Sequence, residues 1–161
     1  MIKHMQLKTI ILGVFTTTFT MFALAQPTDL DQYLLKKKIV DTNYTVKNST
    51  ALNEILDYIS DEDSRTMPYQ LDQNIVIEKM RLYANRIEIS GLITSPDFKQ
   101  FAQDIGDDQV HEMMKKTLVH SCPKFFEHQF QRVNPYQVQI KLTSEQKNYN
   151  LTLKNSDCNF E

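Results

Sequence analysis

The chain has 161 residues, of which 41% are hydrophobic, and it carries 18 basic and 20 acidic side chains. Removal of the amino-terminal leader described below takes two lysines away and leaves 16 basic and 20 acidic groups, a net charge of −4. A mildly acidic chain of this length is typical of one small globular domain, and it excludes nucleic acid as a partner because phosphate binding needs a basic face.

The amino terminus has the three parts of a secretory signal in the right order. Lys3, His4 and Lys8 form a positive region, residues 10–24 carry no charge, and Ala23-Leu24-Ala25 supplies a small-x-small cleavage pattern. The sequence therefore predicts a signal peptide over residues 1–25 and a mature chain that begins at Gln26. The alternative is a membrane anchor, but 15 residues with several threonines are too few to span a bilayer.

No cysteine stands at the predicted cleavage point, so a lipid anchor at that position is not expected. The oxidising periplasm is the expected location, with full secretion as the alternative, and we expect no stable membrane anchor.

Residues 26–66 are predicted to form an amino-terminal helical extension. Leu30 and Tyr33–Leu34 fit one helical face, and a second helix is indicated by apolar residues at positions 52, 55, 56 and 59. Thr50 is the expected cap of that second helix. The acidic run 60–64 is predicted to end it as an exposed loop.

Residues 67–161 are predicted to form an α+β domain. Apolar β-branched stretches around 75–80 and 87–93 indicate a hairpin whose turn contains Asn85, a residue that tolerates positive φ. The phenylalanines at 98 and 101 are assigned to a short connection. A helix capped by Asp107 or Asp108 follows, and its apolar stripe is expected to face the core. That stripe consists of Val110, Met113, Met114, Leu118 and Cys122.

A short apolar helix and a second hairpin complete the predicted domain. Phe125, Phe126 and Phe130 belong to the helix, and strict alternation over 136–143 and 149–153 indicates two half-buried strands. The expected fold is therefore α+β, an antiparallel sheet of about four strands in two hairpins, packed on helices.

The chain contains two cysteines, Cys122 and Cys158, and both fall in the predicted mature part. In an exported protein an even count indicates a disulfide. A redox pair is the less favoured alternative because the Cys-x-x-Cys spacing is absent. A metal site with the neighbouring histidines is also disfavoured, since His111, His120 and His128 lack the i, i+4 spacing of helical ligand pairs.

The sequence offers no catalytic, cofactor-binding or metal-binding motif, so no cofactor is expected and the chain is not predicted to be an enzyme. The candidate site is instead a partner-binding groove between sheet and helices. Its expected lining is Met113, Met114, Phe125, Phe126 and Phe130. The alternative for each of these side chains is core packing, which is the commoner role of methionine and phenylalanine at helical spacing.

The stretch MMKKTLVHSCPKFFEHQFQRVNPYQVQIKLTSEQKNYNLTLKNSDC, residues 113–158, resembles the carboxy-terminal half of small disulfide-containing periplasmic proteins of proteobacteria, including the small α/β pilotins of type II secretion. The shared pattern is a helix ending near a cysteine and a proline, a short helix, a strand with a tyrosine, a hairpin and a closing cysteine. The resemblance implies an α/β fold and a role in binding a secretion component. This chain differs from pilotins in lacking a lipidated cysteine and in carrying residues 26–66.

Three classes of function follow from these observations. The first is a non-enzymatic binding or assembly factor whose partner is another periplasmic or envelope protein. The second is an immunity protein against a delivered toxin, for which an acidic patch at Asp61–Asp63, or at Asp104, Asp107 and Asp108, is the expected mark. The third is an uncharacterised enzyme.

Overall fold

The computed structural model of the protein describes residues 26–160, and the predicted signal peptide at 1–25 lies outside the described residues. The helices are α1 (Asp29–Lys36), α2 (Ser49–Ser64), α3 (Phe98–Ile105), α4 (Asp107–His120), α5 (Cys122–Phe125) and α6 (Gln129–Val133). The strands are β1 (Tyr69–Gln70), β2 (Ile75–Tyr83), β3 (Arg86–Ile93), β4 (Gln137–Thr143) and β5 (Asn148–Lys154). None of the helices in this part of the chain is long and apolar enough to cross a bilayer.

The five strands form one sheet in the order β1-β2-β3-β4-β5. Three of the four pairings are antiparallel, and the central pairing of β3 with β4 is parallel. The α+β class, both hairpins and the disulfide are confirmed. The expectation of a wholly antiparallel sheet is wrong at the centre, because helices α3 to α6 form a crossover that returns the chain to the same end of the sheet before β4 begins.

The alternation of the strands gives the sheet one apolar and one polar face. On the apolar face, Ile87 of β3 lies opposite Val138 of β4, and Val138 lies opposite Leu153 of β5. These side chains belong to the same buried cluster as residues of the helices, including Leu34 and Phe126. The core therefore lies between the helices and one face of the sheet, while side chains such as those of Gln139 and Thr152 lie on the other face.

The segment 26–66 packs into this same core. Leu34, Leu52 and Leu56 are fully buried, and they share one cluster with the strands of 67–161. Helix α2 also lies along β2, where the Oγ of Ser60 accepts the backbone N–H of Leu82 at 2.9 Å. The segment thus contributes side chains to the core and hydrogen bonds to the sheet.

Four local expectations are wrong. Asn48, not Thr50, caps α2 through its side-chain oxygen, and α2 continues as a helix through the acidic run to Ser64. The connection at 98–105 is a regular helix, α3. Asp107 and Asp108 lie in the first turn of α4 and do not cap it. By contrast, the predicted turn at Asn85 is present between β2 and β3, and it forms without a positive φ at that residue.

A glycine permits a close approach within the first hairpin. Gly91 of β3 lies opposite Ile77 of β2, next to an irregularity in the register between Ile77 and Lys79. A Cβ at this position would lie 2.5 Å from the carbonyl oxygen of Val76. The hairpin therefore requires glycine here, because any side chain would push the two strands apart.

The disulfide joins Cys122, at the start of α5, to Cys158, just after β5. Their Cα atoms are 5.8 Å apart, within the usual range for a disulfide. The bond fastens the helical crossover to the carboxy-terminal end of the last strand.

Candidate functional site

An open apolar groove of about 490 Å³ lies between the α3–α4 pair and the apolar face of the sheet. Its walls are Phe98 and Phe101 of α3 and Met113, Met114 and Leu118 of α4. Its floor is formed by sheet residues Ile75, Ile93, Leu142 and Leu151. A cavity of this size and composition lies within the range of known binding pockets.

Two wall residues are unusually exposed for large apolar side chains. The side chain of Met113 is 44% exposed and that of Phe101 is 37% exposed. Leu71, which is 53% exposed, is adjacent in sequence to the lining residue Asp72. Clustered exposed apolar side chains indicate an interaction site, and methionine adapts its shape readily to a partner.

The positions of the two helices that form the walls follow from Gly106 between them and from an aromatic contact of α3. Gly106 ends α3 and precedes α4 with φ +83° and ψ 152°, a conformation that essentially only glycine adopts. Phe98 is held from the other side by an edge-to-face contact with Tyr149 of β5, with ring centroids 5.6 Å apart. The groove is therefore bounded by elements fixed at both ends of α3.

The five residues predicted to line a groove do not lie together. Met113 and Met114 lie at the groove. Phe126 and Phe130 are fully buried, and each packs edge-to-face on Tyr136, so both fill the core. Phe125 is half-buried against the same core and is not among the lining residues.

The residues that sequence reasoning missed are Phe98 and Phe101. They were assigned to a connection, although Phe98, Phe101, Ala102 and Ile105 recur with the spacing of one helical face. Because the segment between Pro96 and Gly106 is short, its helical spacing is easily taken for that of a loop.

A cluster of polar side chains joins α1 to the crossover formed by helices α3 to α6. The carboxylate of Asp31 is fully buried and accepts the backbone N–H of Thr28 at 3.0 Å and that of Gln129 at 2.9 Å. The hydroxyl of Thr28 lies 2.8 Å from Nδ1 of His128, the residue that caps α6. Burial lowers the pKa of His128, while the negative charges of Asp31 and Glu127 act in the opposite direction.

Burial also perturbs the pKa of Tyr136. Burial raises the pKa of its phenol to about 12. The hydroxyl donates to the backbone carbonyls of Tyr83 at 2.7 Å and Arg86 at 3.1 Å, across the end of the sheet. Both perturbed side chains are thus engaged in bonds that join elements of the fold.

The acidic residues predicted to mark an immunity protein are partly paired. Asp61 lies 3.2 Å from a guanidinium nitrogen of Arg81, and Asp107 forms an ion pair with Lys147. Asp104 accepts a hydrogen bond from the side chain of Gln100. Within residues 26–160 no three side chains of histidine, cysteine, aspartate or glutamate converge as metal ligands.

A larger depression of about 720 Å³, lined by both polar and apolar residues, lies at the opposite end of the sheet, beside α6. One lining residue, Arg132, donates to the carbonyl of Phe126 at 2.6 Å and stacks over the ring of Phe160. The guanidinium therefore serves the packing of the carboxy terminus.

Comparisons with known proteins give little further information. No protein-family model matches the chain, and no curated protein matches it in sequence. Among solved structures, the chain is similar to a Pseudomonas aeruginosa protein provisionally described as secreted, with 12% identity and a TM-score of 0.39. The likeness covers 66% of this chain and 89% of that protein.

Proposed function

We propose that the protein is a non-enzymatic exported factor that binds a short apolar segment of another envelope protein in the groove between α3, α4 and the sheet. The observation that carries the proposal is the exposure of Met113 and Phe101 on the facing walls of an open apolar groove. Such a surface loses water-exposed apolar area when a partner side chain fills it, which is the usual source of peptide affinity.

Export is supported by two independent features. The leader pattern at 1–25 predicts secretion, and the cysteines of the chain are joined in a disulfide. Disulfides form and persist in oxidising compartments such as the periplasm and are rare in the cytosol. A soluble periplasmic location is therefore the expected one.

A non-catalytic role is supported by the hydrogen bonds of two side chains whose pKa values are shifted by burial. Enzymes commonly keep such groups free to react with substrate in a cleft. Here the phenol of Tyr136 and the imidazole of His128 are bonded to other parts of the fold, and neither lines the apolar groove.

The pilotin resemblance agrees with a role in binding a secretion component, and we retain that narrower role within the proposal. Pilotins carry a lipid that takes their partner to the outer membrane, and this chain lacks a cysteine at the predicted cleavage point. We therefore expect the protein to meet its partner in the periplasm without being anchored itself.

Site-specific photo-cross-linking in the cells that naturally produce the protein tests the proposal. A benzophenone amino acid replaces Met113 or Phe101 in the full chain, leader included. Val119 is the matched control position, because it is a 37% exposed apolar residue on the same helix that does not line the groove. We expect a discrete cross-linked adduct from positions 113 and 101 and none from 119.

Mass spectrometry of the adduct identifies the partner, and mass measurement of the uncross-linked protein checks cleavage after Ala25. An exported protein that gives no adduct from either groove position would contradict the binding role. Equal adducts from position 119 would mean that the groove is not the binding surface.

A further inference from the structure

We propose that the segment bound in this groove carries lysine or arginine beside its apolar side chains. This inference rests on the proposed function and specifies the chemistry of the partner. It comes from the charged residues at the rim of the groove, Asp72 and Asp97, and not from the apolar residues of its walls and floor.

The charged residues among those that line the groove are Asp72 and Asp97, and both are exposed. Neither carboxylate takes part in an ion pair of the described residues. This contrasts with Asp61 and Asp107, which lie outside the groove and are paired with a cation. The rim is therefore acidic and its charge is available to a partner.

The structure holds one of these carboxylates firmly at the rim. Oδ1 of Asp72 accepts the backbone N–H groups of Asn74 at 2.7 Å and Ile75 at 2.9 Å. Asp97 precedes the first turn of α3 without a side-chain capping bond, so its carboxylate is not used by the helix. One fixed and one uncommitted carboxylate thus border a groove whose walls are apolar.

This arrangement favours a peptide over an anionic lipid. An acyl chain could contact the apolar walls, but its phosphate or carboxylate head group would meet two carboxylates of the same sign. Lysine and arginine have apolar stems that can lie along the groove walls while their charged ends reach the rim. The occupant that fits both features is an apolar peptide segment with basic residues.

Two synthetic peptides with identical apolar residues test the inference, one with flanking lysines and the other with flanking glutamates. Methyl NMR of the mature protein locates binding through the signals of Met113 and Met114, assigned with Met113→Leu, and fluorescence anisotropy gives Kd. We expect the lysine peptide to bind more tightly, and its affinity to fall as salt is added.

Two variants of the protein isolate the rim. Asp97→Asn and Asp72→Asn each remove one charge, and the asparagine at 72 keeps an oxygen that can accept the two backbone bonds. We expect each to weaken the lysine peptide by about two- to fivefold, the range for an exposed ion pair. Asp104→Asn, the same change on α3 at a residue outside the lining, is the control and should leave Kd unchanged.

The outcomes separate the inference from the proposed function. Equal or tighter binding of the glutamate peptide, or no effect of either rim variant, overturns the basic-partner inference but leaves groove binding intact. If neither peptide shifts the Met113 signal, the groove is not a peptide site and both proposals fail. A stronger shift with anionic phospholipid vesicles, or self-association through the groove in analytical ultracentrifugation, also overturns the inference.

Discussion

Asp31 shows how one buried charge can join distant parts of a chain. Its carboxylate closes the capping box of α1 with Thr28, and it also accepts the first N–H of α6, 98 residues further along the chain. A buried carboxylate is costly unless hydrogen bonds replace its water, and here both oxygens have donors. The interaction therefore fixes the amino-terminal helix against the crossover.

We expect His128 to make this junction sensitive to pH. Burial lowers the folded-state pKa of His128 below its ordinary value of 6.5, so the unfolded chain binds the proton more readily. The contribution of this residue is fully present above pH 6.5 and is lost as the pH falls from 6.5 through the folded-state pKa. We expect the free energy of unfolding to fall over this range, and to fall less in His128→Asn.

Urea unfolding at pH 7.5 and 6.0 measures this difference. His120→Asn, at the exposed end of α4, removes an imidazole away from the junction and should keep the pH dependence of the wild type. If His128→Asn and the wild type lose the same stability between the two pH values, His128 does not control the effect.

Among the secondary-structure elements, α2 has a role beyond filling the core. Strand β1 pairs with β2 only at Val76 and Ile77, so towards Tyr83 the edge of β2 that faces away from β3 has no strand beside it. The Oγ of Ser60 accepts the N–H of Leu82, and Asn53 accepts that of Ala84 at 2.8 Å. Side chains of the helix thus satisfy a strand edge that would otherwise be open to pairing with another chain.

Ser60→Ala tests this role of α2. Ser60 is 2% exposed, and removal of its hydroxyl leaves the partly buried Leu82 N–H without this acceptor, which costs about 1 kcal/mol or more. Ser64→Ala is the matched control, because that serine is exposed and its hydroxyl donates to the carbonyl of Asp61 within the same helix. Its effect should stay within about 0.5 kcal/mol. Chemical denaturation compares them, and equal losses would contradict the edge role.

At the scale of the whole molecule, the first and last segments of the described residues are both attached to the core. Residues from α1 and α2 complete the core of the sheet, and the disulfide joins the crossover to the segment after β5. The disulfide closes a loop that persists when the protein unfolds. Its entropic effect therefore acts chiefly on the unfolded chain, which loses the freedom to separate the joined segments.

Removal of the disulfide should therefore destabilise the protein strongly. For a separation of 36 residues the chain-entropy relation gives about 3.8 kcal/mol, a large part of the stability of a small domain. We expect the double variant Cys122→Ser, Cys158→Ser to lose roughly this amount in guanidinium unfolding. Wild-type protein unfolded under reducing conditions should behave like the variant, and coincident curves for oxidised wild type and variant would show that the bond contributes little.

The sequence by itself determined the local elements. Alternation over 136–143 and 149–153 predicted β4 and β5, and helical spacing predicted α4. Two cysteines in a chain with an export leader pattern predicted the Cys122–Cys158 bond. These signals are local, or depend on residue counts, so they can be read without knowing the neighbours of each element.

Only the tertiary structure decided which elements are neighbours and which apolar side chains remain accessible. Periodicity placed Met113 and Phe126 alike on apolar faces, yet one borders a groove and the other is fully buried. It also gave no indication that β3 and β4 run parallel. The physical reason is that a local pattern shows which side of an element is apolar. Which other element packs against that side, and how completely, depends on contacts between distant parts of the chain.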